Sequence, residues 1–261
     1  MRKTIEPPIH SFCWSELAAK NSDVARKFYA GLLGWTYQEE EMPEGMGSYI
    51  SIFANNMPVG AMFAMTHEAF DGVPPHWGSY VRVANCEASL KKAEELSAIV
   101  LKPTFDVMDA GRMAVIKDPS GAVIHLWEKK NHAGAAVQKN VAGTCCWNEL
   151  MVSEPKVALD FYTKLFDWVY QASEFGGQTY YSLNHADGTH IGGLMAIPAK
   201  MKMPPSWTLY FTVTDLEKAM AYVTKNGGRV HFGPHDVHGM GRFAACQDAE
   251  GAQFSVFQYK A

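Results

Sequence analysis

Cysteine and histidine are the residues of this 261-residue chain whose chemistry spacing can test most directly. The five cysteines, Cys13, Cys86, Cys145, Cys146 and Cys246, form no CxxC pair and no regular framework, so neither a disulfide scaffold nor a zinc knuckle is indicated. Cys145 and Cys146 are adjacent in a strand-like stretch, so their side chains point to opposite faces and cannot jointly clasp an ion. They are read as small apolar fillers. His231, His235 and His238 lie in HFGPHDVHGMG. No carboxylate stands at a fixed helical spacing from them, and the segment is expected to be a Gly-Pro loop before a strand, acting as a mobile lid. His76, after Pro74-Pro75, and His125, within VIHLWE, carry the group that can ligate metal or move protons near neutral pH. There is no P-loop, no GxGxxG after a strand and no GxSxG elbow.

The elements that must position these residues occur twice. The segment Cys13 to Gln38 aligns without gaps to Cys146 to Gln171 at an offset of 133, with 12 of 26 positions identical. The identities include Trp14, Glu16, Leu17, Phe28, Tyr29, Leu32 and Trp35. A second block, Pro74 to Lys130, matches Pro204 to Lys260 at an offset of 130, including Gly111-Arg112 and the turn DPSGA against DAEGA. Self-similarity over such a length means two copies of one architecture. The polar, small-residue stretch Lys129 to Ala136 joins them, giving domains at 1–130 and 140–261 with a linker at 131–139.

Within each copy, periodicity predicts a strand near Ile9 to Ala18. A helix follows over Asn21 to Leu33, with Val24, Ala25, Phe28, Tyr29 and Leu32 on one stripe and Gly34 as its stop. Three strands come next, the last two joined by an Asn55-Asn56 turn. After the Pro74-Pro75 break the order recurs, so each copy holds two βαβββ units and the chain four. On the first strand Cys13, Ser15 and Leu17 share one face and Phe12, Trp14 and Glu16 the other. The second face is read as a cavity wall.

The run FYAGLLGW after a first strand, the Gly111-Arg112 strand, the DPSGA turn and the closing VIHLWE together resemble the vicinal-oxygen-chelate superfamily, which includes glyoxalase I, bleomycin-resistance proteins and extradiol dioxygenases. The tandem W-x-E-L openings are most similar to two-domain glyoxalase-like proteins typified by a mycobacterial antigen. The resemblance covers nearly the whole chain and implies an α+β fold: tandem βαβββ units form two glyoxalase-like domains with curved mixed sheets around cavities and helices outside. Metal-dependent members place His, Glu or Gln ligands on first and last strands, and His125 stands at such a position. The first-strand position falls on or near Trp14, with Glu16 one pleat away, and His76 lies about one pleat before the expected Gly78. Glu16, His76 and His125 would make a two-histidine, one-carboxylate set for a divalent ion. In the second copy Trp147, Thr208 and Ser255 take the matching places, leaving Glu149 as the sole donor.

Glu16 and Glu149 recur in both copies, which favours a hydrogen-bonded architectural role over a metal site, and no metal or other cofactor is favoured. Arg112 and Arg242 could hold a substrate carboxylate, but their duplication favours ion pairs. His10 is read as a rim residue, and the run Met195 to Met203 as a cover over apolar surface. The net charge of −4, without a basic block, argues against nucleic-acid and membrane partners. No run approaches a membrane span, and the first ten residues lack a secretion signal, so a cytoplasmic location is expected.

The expected function is binding of, or lyase, isomerase or dioxygenase-type action on, a small oxygenated molecule, with His125 and Glu16 as the catalytic candidates. Trp14, His76, Trp147, Glu149 and Arg112 are the candidate ligand-binding residues. Metal-free sequestration of the bleomycin-resistance kind is the alternative.

Overall fold

The computed structural model describes residues 6–42, 47–135, 140–199 and 201–260. The first copy runs β1 (Phe12–Ala19), α1 (Ser22–Leu33), β2 (Thr36–Glu41), β3 (Ser48–Ala54), β4 (Met57–Ala64), β5 (His76–Arg82), α2 (Cys86–Glu95), β6 (Ile99–Val107), β7 (Gly111–Lys117) and β8 (Val123–Lys129). The second repeats the order as β9 (Cys145–Val152), α3 (Pro155–Phe166), β10 (Val169–Phe175), β11 (Gln178–Asn184), β12 (His190–Ala196), β13 (Ser206–Thr212), α4 (Leu216–Lys225), β14 (Arg229–Val237), β15 (Gly241–Gln247) and β16 (Gln253–Tyr259). Each copy builds one mixed eight-stranded sheet, in the orders β2-β3-β4-β1-β5-β8-β7-β6 and β10-β11-β12-β9-β13-β16-β15-β14.

Local chemistry sets the ends of α1. The Asn21 side chain accepts from the backbone N–H groups of Asp23 and Val24, and Gly34 takes the left-handed conformation while returning its N–H to Ala30. Ala25, Phe28 and Tyr29 form its buried face. Val24, expected on that stripe, is 40% exposed. Four-residue steps advance by about 40° around a helix, so the position one step before Phe28 rotates off the buried face.

Two compact units divide the chain. One contains the described residues up to Trp14, those of Ser79–Ala136 and Trp147–Thr208; the other contains Ser15–Gly78, the described part of Val137–Cys146, and Leu209–Ala261. Each therefore combines a βαβββ unit from one copy with one from the other. In the second unit the Trp77 indole N–H donates to the Tyr29 hydroxyl at 2.9 Å, and that hydroxyl donates to Asp248 at 3.0 Å. The other oxygen of Asp248 accepts the backbone N–H groups of Glu250, Gly251 and Ala252. In the first unit Trp207 donates to Tyr162 at 2.9 Å and Tyr162 to Asp118 at 2.7 Å. The tyrosine comes from one copy's FY motif and the aspartate from the other copy's turn. Burial, reinforced by the carboxylate, pushes both phenols well above the ordinary tyrosine range, so both stay protonated donors.

Two sequence expectations are corrected. The segment carrying His231 and His235 is strand β14, paired antiparallel with β15, because a bulged ladder accommodates Gly233-Pro234 at the sheet edge. Phe12 is not part of a half-wet wall: it is 4% exposed, with its ring 5.8 Å from Trp168 and 5.0 Å from Trp207. Two indoles offer this ring more buried apolar contact than a cavity surface would.

Leu17 and Phe161 are 0% and 2% exposed. Leu17→Ala or Phe161→Ala is therefore expected to cost about 2–5 kcal/mol in chemical denaturation. Tyr162→Phe should cost about 1–3 kcal/mol by orphaning Asp118 and the Trp207 N–H, with the same measurement as its check.

Candidate functional site

Parallel pairing of β5 with β8 sets Tyr80 opposite His125. Their rings stack 4.3 Å apart at an interplanar angle of 11°. The His125 Nδ1 lies 3.3 Å from the Ser79 carbonyl. A carbonyl only accepts, so Nδ1 carries the proton in this contact, and Nε2 is the acceptor atom of the neutral ring. Tyr80 joins Cys13 and Trp127 in a small buried cluster, with Trp14, Val107, Ala110 and Met113 packed against it. Trp14 and His125 thus border one aromatic wall, and both come from the sequence candidates.

The wall has a contributor that sequence reasoning placed in the linker. His132 meets the Trp14 ring edge-on at 4.5 Å, and the Trp127 indole N–H donates to the His132 carbonyl at 3.0 Å. Backbone bonds from His132 to Ala110 and from Ala135 to Cys13 hold this stretch down. Gly134 sits between them at a positive φ of 86°, where a Cβ would run into the Cys13 carbonyl. Burial holds the His132 imidazole below the ordinary histidine range. Neither Tyr80 nor Trp127 was singled out from sequence, although Tyr80 has the repeat partner Tyr210.

The remaining candidates have other surroundings. Glu16 is half-buried on β1, opposite Ala61. His76, half-buried, turns its Nδ1 to the Pro74 carbonyl at 2.9 Å. Glu149 is 8% exposed and accepts from the Tyr180 hydroxyl, which itself accepts the Trp147 indole N–H at 3.0 Å. Burial first, then the Glu149 carboxylate, pushes the Tyr180 phenol well above its usual range. Arg112 lies 2.9 Å from Asp106 and 3.5 Å from Glu87. Its repeat partner Arg242 makes a forked pair with Glu217 at 2.8 and 3.0 Å. Among the described residues no three His, Cys, Asp or Glu side chains come together in a way that could hold a metal ion.

The sequence profile of the Glyoxalase/Bleomycin resistance protein/Dioxygenase superfamily matches residues 10–126 and again 143–256. The chain belongs to this superfamily. Within it, a Mycobacterium tuberculosis protein named "Putative glyoxylase CFP32" is 36% identical over 245 residues, covering 94% of this chain and 93% of that one. The anthracycline biosynthesis protein DnrV of Streptomyces peucetius is 28% identical over 258 residues, covering 95% and 92%. Among solved structures, the 2,3-dioxygenase LapB from Pseudomonas sp. KL28 gives a TM-score of 0.64 at 14% identity, covering 98% of this chain and 94% of that one. The Mn(II)-bound glyoxalase from Novosphingobium aromaticivorans gives 0.62 at 12%, covering 96% and 82%. These two likenesses establish the superfamily fold. Among the described residues no helix is long and apolar enough to cross a membrane.

His132 supplies a pH test of the wall. Its folded-state pKa lies below the unfolded value, so between the two the unfolded chain binds the extra proton and stability falls as pH drops. In His132→Asn, the denaturation midpoint should fall less steeply with acid below about pH 6.5 than in the parent. Unchanged steepness would place the imidazole in solvent.

Proposed function

We propose that the aromatic wall of the first copy binds a small, planar, oxygenated molecule, and that His125 engages a hydroxyl group of that molecule as hydrogen-bond partner or acid/base. The observation that carries this reading is the Tyr80–His125 stack, with the imidazole proton committed to the Ser79 carbonyl. A ring held flat by a phenol and oriented by a backbone acceptor presents its imidazole in a fixed orientation. The surrounding Trp14, Trp127, Met113 and Val107 provide the apolar contact that small-molecule sites use. The relative named for anthracycline biosynthesis supports a planar, oxygenated ligand class.

Trp14 and Trp147 stand on or near the first-strand positions where metal-dependent members place a ligand, which argues against the reaction of the metal-dependent glyoxalases. The same observation favours the second reading, retention of the ligand without conversion, for which aromatic walls suffice.

Tryptophan-fluorescence titration with naphthol and with its methyl ether, methoxynaphthalene, tests the site. Naphthol should bind the more tightly. His125→Ser should weaken naphthol by at least about tenfold, the contribution of one hydrogen bond, while chemical denaturation changes by less than about 0.5 kcal/mol. Equal loss of stability and binding would make His125 structural. Mass spectrometry of the ligand after prolonged incubation separates turnover from retention, and elemental analysis of untagged protein tests for a bound metal.

A further inference from the structure

Among the described residues the four sheet edges are β2, β6, β10 and β14, and three of them carry features that discourage strand pairing. In β2, Glu39, Glu40 and Glu41 close the strand. In β6, Pro103 lies within a ladder that shifts register twice, and β14 combines Pro234 with two such shifts. β10 has none of these. Its seven residues, VYQASEF, pair with β11 in unbroken register and hold one charge and no proline. All but Phe175 are exposed, with Val169 at 46% and Tyr170 at 50%.

We infer that β10 is a homodimer edge, pairing antiparallel with β10 of a second copy of this chain. The argument is one of charge and side-chain complementarity under two-fold symmetry. With Ala172 opposite its own counterpart, Tyr170 faces Glu174, Gln171 faces Ser173 and Val169 faces Phe175. Each pair shares a sheet face, as antiparallel pairing demands. A phenol meets a carboxylate, two apolar side chains meet, and no like charges are opposed. The same symmetric pairing on β2 would set Glu39 against Glu39, because Glu39 occupies the position of Ala172 at the 133-residue offset. The copies thus differ at the centre of otherwise equivalent edges, and the difference decides which of them can self-pair.

Analytical ultracentrifugation of the full chain tests this. The parent should sediment at twice the 28.9 kDa chain mass. Ala172→Glu, which installs the residue that the first copy carries in an equivalent strand, should sediment as a single chain. Tyr170→Glu, which would oppose Glu174 with a second carboxylate, should do the same, and circular dichroism checks that both variants keep the parent fold. Glu39→Lys on β2 should leave the dimer intact. A parent that stays monomeric as concentration rises, or a dimer that survives both β10 substitutions, overturns the inference.

Discussion

A buried phenol that donates to a carboxylate while accepting from an indole is the interaction on which the arrangement of the chain depends. Tyr29, with Trp77 and Asp248, makes it in one compact unit, and Tyr162, with Trp207 and Asp118, makes it in the other. A tyrosine hydroxyl at this depth must both donate and accept or lose about 1–3 kcal/mol for an unmet group. In both units the aspartate belongs to the other copy. Neither copy can satisfy its own tyrosine, so the duplication is not two independent beads: each copy completes the other's core. The aspartate is held in turn by the tight turn it initiates, through the Ala122 N–H and Ser120 hydroxyl in one case and three backbone N–H groups in the other. The turns DPSGA and DAEGA therefore combine chain reversal with a buried polar lock.

Much of the fold is legible in sequence because it follows from local periodicity and from repetition. The first FY helix begins and ends where Asn21 and Gly34 predict, and the superfamily fold follows from the motifs. Every member of the buried locks is also visible as a duplicated residue. What the sequence does not carry is the pairing, since a repeat aligns Tyr29 with Tyr162 and Asp118 with Asp248 but cannot say which tyrosine meets which aspartate. The same limit hid His132. Its composition reads as linker, and only the bonds to Ala110 and Cys13 bring it onto Trp14. For β14, the Gly233-Pro234 pair masked a strand whose bulges absorb it.

The copies diverge on the ring-bearing faces of β5, β8, β13 and β16 more than in the locks. Tyr80 and Tyr210 occupy equivalent positions, and parallel pairing places His125 opposite one and Ser255 opposite the other. Ser255 is buried to 1% exposure and offers no ring for stacking. Tyr210 instead lies 5.5 Å from Phe243, whose ring is in turn 5.8 Å from Phe232 and 5.7 Å from His235. The second copy keeps an aromatic surface but builds it from different strands, with its imidazole on the edge strand β14. The two repeated faces thus present different polar atoms, an imidazole at His125 and a hydroxyl at Ser255.

The carboxylates make the complementary point. Glu149 is nearly buried, and a carboxylate there requires donors close at hand. Tyr180 supplies one, and its own hydroxyl is oriented by the Trp147 indole. Strand register places Tyr49 in the first copy where Tyr180 stands in the second: Ser51 pairs with Ala61, which pairs with Glu16, just as Ser182 pairs with Gly193, which pairs with Glu149. The Trp, Glu and Tyr positions are thus all present twice. A polar group retained in both copies is more economically explained by what both copies share, a sheet to be held together, than by chemistry that one face performs alone. By the same reasoning the unduplicated His125 is the group whose presence the shared architecture does not require, and that asymmetry is the ground on which the proposed ligand contact rests.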